Sequence, residues 1–109
     1  MSDNGLPPIH PGRFLAEILR ELHVSQAQFA RTIGISPMRV SHIVNGSRPV
    51  TAEISLLFGR ALGQFSQYWL KLQDDYDLKM ARLAIGERMG SIVEWPPPAI
   101  FPSLVAPNA

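Results

Sequence analysis

The stretch FARTIGISPMRVSHIVNG, residues 29–46, has helical apolar spacing, yet it carries a glycine at 34 and Ser-Pro at 36–37 in its middle. One helix cannot hold all of these. Gly34 can take the left-handed backbone conformation that turns a chain sharply after a helix, a conformation costly for residues bearing a Cβ. Ser36 is a good N-cap. Pro37 suits the first helical position, where a missing N–H costs nothing, and Ile35 before the cap can staple onto Val40. The run therefore reads as two helices, one stopping at Gly34 and one starting at about Pro37 and closed by Asn45-Gly46. Arg48, preceding Pro49, is pushed toward extended backbone.

Working outward, Ser25 caps the shorter upstream helix, whose narrow apolar face is Phe29, Ala30 and Ile33. Before it, Pro11 opens a helix running to about residue 22, with Leu15, Ile18, Leu19 and Leu22 on one stripe. After it, Thr51 caps a fourth helix with Glu53 in its first turn, where a carboxylate suits the helix dipole. Ile54, Leu57, Phe58, Ala61 and Leu62 form its buried stripe, and Gly63 ends it. Gly59 inside that helix costs ~1 kcal/mol relative to alanine, so either it lets another helix approach closely, the favoured reading, or it is merely tolerated. Ser66 is expected to cap a fifth helix that carries Trp69, Leu72 and Tyr76 on one side and weakens at Gly86 and Gly90. The segment up to His10 reads as a mobile arm. EWPPPAIFPSLVAPNA, residues 94–109, reads as an extended proline-rich tail.

At 109 residues the chain closes one modest core rather than two. No apolar run approaches the ~20 residues of a membrane span, and the N-terminus lacks a secretory signal, so a cytoplasmic protein is expected. With no cysteine there is neither disulfide nor thiolate chemistry. The formal net charge of +1 hides an asymmetry. Residues 12–50 hold five arginines against Glu17 and Glu21, a balance of +3, while residues 51–109 sum to −1. That split suits a first half that meets an anion.

Two short helices joined by a tight glycine turn, inside an all-helical domain, form a helix-turn-helix arrangement. Once the second of them buries Val40, Ile43 and Val44, Met38 and His42 point away from the stripe, with Arg39 and Ser41 on its flanks. Such a helix fits the DNA major groove, where arginine can make two hydrogen bonds to guanine and an apolar side chain can touch a thymine methyl. Arg39 and Met38 are assigned those roles. His42 can reach a base edge or a phosphate, and Ser36, Pro37 and Ser41 complete the contact set of that helix. Gln26, in the first turn of the preceding helix, suits a phosphate contact that fixes register, and Asn45, Ser47 and Arg48 are placed to hold the backbone on the other side.

These residues also carry a family resemblance. SQAQFARTIGISPMRVSHIVNGSRPVTAE resembles the DNA-binding core of Cro/C1-type (XRE) repressors, with Gln26, Ala30, Gly34, Val40 and Ile43 at the motif positions. IHPGRFLAEIL, RPVTAE, ALG at 61–63 and YWLKLQDDYDLKMA at 68–81 narrow the similarity to the HigA (VapI-like) antitoxins of bacterial toxin-antitoxin operons, over about residues 9–84. The resemblance implies an all-α, five-helix, lambda-repressor-like helix-turn-helix domain at 10–84, with an arm at 1–9 and the helix end and proline-rich tail at 85–109. It implies a homodimer on operator DNA in its own promoter and a complex silencing a HigB-type toxin, an mRNA-cleaving ribonuclease. A stand-alone regulator without a toxin remains the alternative. The family pattern has a basic residue where this chain has Ser47, which weakens a phosphate contact there.

Other chemistries find little support. Asp74, Asp75 and Asp77 point in different directions and lack the glycine and bidentate glutamate of a calcium loop. His10, His23 and His42 are too scattered for a zinc site. No hydroxyl nucleophile has a base at a recognisable spacing, and no glycine loop cradles phosphate. No catalytic residue, metal, cofactor, small-molecule substrate or membrane contact is therefore expected. Trp95, Ile100, Phe101, Leu104 and Val105 make the tail apolar, which leaves self-packing, dimer packing and toxin docking open.

Overall fold

The computed structural model describes residues 6–95 as five α-helices, with no strand among them. They are α1 (Pro11–Leu22), α2 (Gln26–Ile33), α3 (Pro37–Val44), α4 (Ala52–Leu62) and α5 (Tyr68–Gly90). Three starts follow the local caps. The side chains of Ser25, Ser36 and Thr51 accept the backbone N–H groups of Gln28, Arg39 and Ile54. At α2 the cap is a full box, because the Gln28 side chain in turn accepts the Ser25 N–H at 3.0 Å. Gly34 at φ 79° and Gly63 at φ 74° close α2 and α4 in the left-handed region, where a side chain would be strained.

The core draws on every helix: Leu15 and Leu19, Phe29 and Ala30, Val40 and Ile43, Ile54 and Phe58, and Trp69. An aromatic run ties it together. The rings of Phe29 and Phe58 lie 5.3 Å apart, and Phe58 meets Trp69 edge-on at 5.5 Å. The Trp69 indole N–H donates to Gln64 Oε1, so the fully buried side chain leaves no polar atom unpaired.

Two expected details change. Ser66 is not the cap of α5. The helix begins at Tyr68 after Gln67, which makes no side-chain cap bond, and the Leu70 N–H is instead accepted by Ser55 Oγ from α4 at 3.1 Å. Ser55 Oγ donates to the Ser66 carbonyl at 2.6 Å, so one buried hydroxyl serves two orphaned backbone groups. Gly59 does sit at a close approach, but to the following loop rather than to another helix. A Cβ there would lie 3.0 Å from the Gln64 carbonyl oxygen and 3.2 Å from that of Phe65.

Residues before α1 run alongside α1 and α5. Leu6, Pro7 and Ile9 line a cavity of about 190 Å³ with Phe14 of α1 and Leu72, Asp75, Tyr76 and Lys79 of α5. Gly12 brings the start of α1 against the end of α3, where a Cβ would overlap the Ile43 carbonyl oxygen. At its far end α5 departs from helical geometry at Ile85 (φ −124°, ψ 16°), immediately before Gly86. Trp95, at the start of the proline-rich segment, is exposed. The expectations for Ile100, Phe101, Leu104 and Val105 lie outside the described residues.

Candidate nucleic-acid interface

Helices α2 and α3 pack on each other through the three-residue turn Gly34-Ile35-Ser36. Gly34 N–H donates to the Ala30 carbonyl at 2.8 Å and Ile35 N–H to the same oxygen at 3.1 Å, so the turn is closed by its own backbone. Ser36 Oγ accepts the Arg39 N–H at 3.1 Å, and Pro37 follows as the first helical residue. Ser36 and Pro37 are exposed, and each has a structural task here as cap and helix opener.

Val40 and Ile43 hold α3 to the core, and Ile35 and Val44 pack against its edge. Met38 stands out from the opposite side, 67% exposed and available to an apolar base contact. Arg39, Ser41 and His42 are half-buried, so His42 is less outward than a helical wheel implies. The backbone after α3 folds back onto its last turn, and both Ser47 N–H (2.9 Å) and Arg48 N–H (3.1 Å) donate to the His42 carbonyl. Arg39 is not alone either. Its Nη2 lies 3.6 Å from Glu53 Oε1 on α4.

The post-helix loop is built rather than loose. Asn45 Oδ1 accepts from Ser47 N–H at 3.0 Å and from Ser47 Oγ at 2.7 Å, an Asx-type turn that commits the carbonyl side of the amide. Ser47 is thus a brace for the loop. Arg48 is exposed. Gln26 is the first residue of α2 and is half-buried.

The interior of this loop is pinned by residues that the linear pattern does not single out. The buried Gln73 of α5 accepts the Val50 N–H at 2.7 Å and donates to Asp77 Oδ1 at 2.9 Å. His10, the N-cap of α1, accepts the Gly12 N–H on Nδ1 at 2.9 Å, forms a hydrogen bond with the Arg48 backbone and packs edge-on to Tyr76 at 5.1 Å. Burial lowers the His10 pKa from its ordinary 6.5, while the Arg48 bond and the Asp77 carboxylate pull the other way. Gln73 was detectable as a polar residue one helical turn from Trp69 on the buried side. The pairing of Glu53 with Arg39, and of His10 with Arg48 and Tyr76, carries no local signal, because those partners lie on other elements. No group of three or more His, Asp or Glu able to hold a metal occurs among the described residues.

Comparison with known proteins agrees with this architecture. A family model described as helix-turn-helix matches residues 15–66. Virulence-associated protein I of Dichelobacter nodosus is 40% identical over 79 residues, covering 72% of this chain and 73% of that protein. The structure of an addiction module antidote protein of the HigA family from Coxiella burnetii is similar with a TM-score of 0.80 and 38% identity, over 83% of this chain and 100% of that one. The Pseudomonas aeruginosa antitoxin HigA, solved with the higBA promoter, gives a TM-score of 0.76 and 35% identity over 80% of this chain and 96% of its own. The α1–α5 architecture, its glycine-turned α2–α3 pair and these similarities together place the chain in the HigA (VapI-like) antitoxin family, within the Cro/C1-type (XRE) helix-turn-helix class.

Proposed function

We propose that this protein is a HigA-type antitoxin that binds operator DNA in its own promoter as a homodimer, represses its operon, and neutralises a HigB-type mRNA-cleaving toxin. The observation that carries the reading is the disposition of α3: Val40 and Ile43 are buried and Met38 is outward. A similar HigA was solved with its promoter, which supports a DNA target of the same kind. In this reading Arg39 and Met38 read base edges, and His42 and Ser41 contact the groove wall. Ser36 and Pro37 bring the helix start to the duplex. Gln26 on one flank and Asn45 and Arg48 on the other fix the phosphate backbones. These contacts fall within a DNA-binding domain at 10–84, with 1–9 and 85–109 as appendages.

Dimerisation has a physical motive. The 8-residue α3 is about 12 Å long and reads only a few base pairs, whereas a two-fold pair on half-sites ~34 Å apart multiplies affinity and discrimination. No helix among the described residues is long and apolar enough to cross a membrane. The operator and the toxin's mRNA substrate place the work in the cytoplasm.

The experiment is co-expression with the neighbouring small open reading frame, followed by co-purification and a mobility shift on the native promoter. The proposal expects a toxic neighbour that co-purifies with this chain and a shifted promoter duplex. A harmless neighbour, or one that does not co-purify, leaves a stand-alone regulator. An unshifted promoter removes the repressor role.

A further inference from the structure

We infer that Glu53, on α4, is a positioning residue that sets DNA specificity by holding the Arg39 guanidinium, an inference that rests on the DNA-binding role proposed for α3. Glu53 Oε1 lies 3.6 Å from Arg39 Nη2, and Glu53 is 69% exposed while Arg39 is 32% exposed. The separation is longer than a hydrogen bond, so the carboxylate steers the guanidinium by charge and leaves its five N–H donors available. Glu53 sits in the first turn of α4, where Thr51 Oγ1 accepts the Ile54 N–H, so its backbone is anchored independently of Arg39.

The chemistry of the two possible DNA partners makes this pair selective. A phosphate is an anion found on every sequence, and it is drawn to an unaccompanied guanidinium. Beside Glu53 that attraction is reduced, because the approaching phosphate meets the carboxylate as well. Guanine O6 and N7 are neutral acceptors, and they lose far less when a carboxylate accompanies the arginine. Glu53 therefore penalises indiscriminate phosphate docking more than base reading. It also limits the rotamers from which Arg39 enters the groove, which lowers the ordering cost of a two-bond contact.

The test compares the full chain with Glu53→Gln on two duplexes of equal length: the DNA immediately upstream of its own coding sequence and a random sequence. Glu53→Gln should raise affinity for the random duplex about two- to fivefold, the range of an exposed ion pair, and change promoter affinity less. The slope of log K against log salt on the random duplex should steepen by about 0.9, one added phosphate contact. A simple charge effect is separated by repeating the comparison in an Arg39→Ala background, where the Glu53→Gln effect on the affinity ratio should vanish. If wild-type protein prefers its promoter but Glu53→Gln leaves the ratio and slope unchanged, the inference falls alone. Persistence of the full effect without Arg39 also overturns it. If wild-type protein binds neither duplex, the underlying DNA-binding proposal falls with it.

Discussion

His10 touches three parts of the fold at once: the start of α1 through Gly12, the post-recognition loop through Arg48, and α5 through Tyr76. Burial holds its pKa below 6.5, so the folded protein favours the neutral ring. The contribution of such a group is complete above its unfolded pKa and is lost as pH falls through the lower folded value. Protonation would also put a hydrogen on Nδ1, the atom that accepts the Gly12 N–H. Thermal stability should therefore drop on acidification below about pH 6.5, and His10→Asn, which keeps a good cap without titrating, should flatten that drop. Parallel melting curves for the two proteins would remove His10 from the explanation. Arg39 makes the corresponding prediction on the DNA side. Arg39→Ala should cost ~1–3 kcal/mol on the promoter and relax preference at one base position, read by a competition series of single-base variants.

At the scale of elements, what can be read from the chain depends on how far away each helix finds its caps. Ser25, Ser36 with Pro37, and Thr51 announce α2, α3 and α4 because each cap lies within three residues of the N–H it serves. The start of α5 is not announced, because its hydroxyl comes from Ser55, fifteen positions away, and only tertiary packing brings them together. Ser55→Ala should cost ~1–2 kcal/mol in urea unfolding, since Leu70 N–H loses its acceptor and the Ser66 carbonyl its donor. Ser66→Ala keeps that carbonyl and should stay within ~0.5 kcal/mol. The reverse ranking would restore Ser66 as the cap. The same limit explains the site. The outward position of Met38 follows from helical periodicity, but the Arg39–Glu53 pair needs α4 beside α3 and the loop that returns to the His42 carbonyl needs the turn after α3. Gly59 shows it again: the cost of a helical glycine flags a close approach, while its partner, the Gln64–Phe65 backbone, belongs to the turn that follows.

For the molecule as a whole, the first four helices and the start of α5 form one core that holds α3 on the surface by its valine and isoleucine side. Gln73 and His10 extend that support to the loop carrying Arg48, so the candidate DNA surface rests on α1 and α5 as well as on the helix-turn-helix. A rigid presentation of this kind lowers what must be ordered on binding. In the proposed complex the duplex meets α3 and its two flanks. Titrating the isotope-labelled protein with its promoter duplex and mapping backbone amide shifts checks this contact surface. Changes should concentrate at Gln26, residues 36–42 and residues 45–48. Changes concentrated on the far half of α5, with those positions undisturbed, would contradict it.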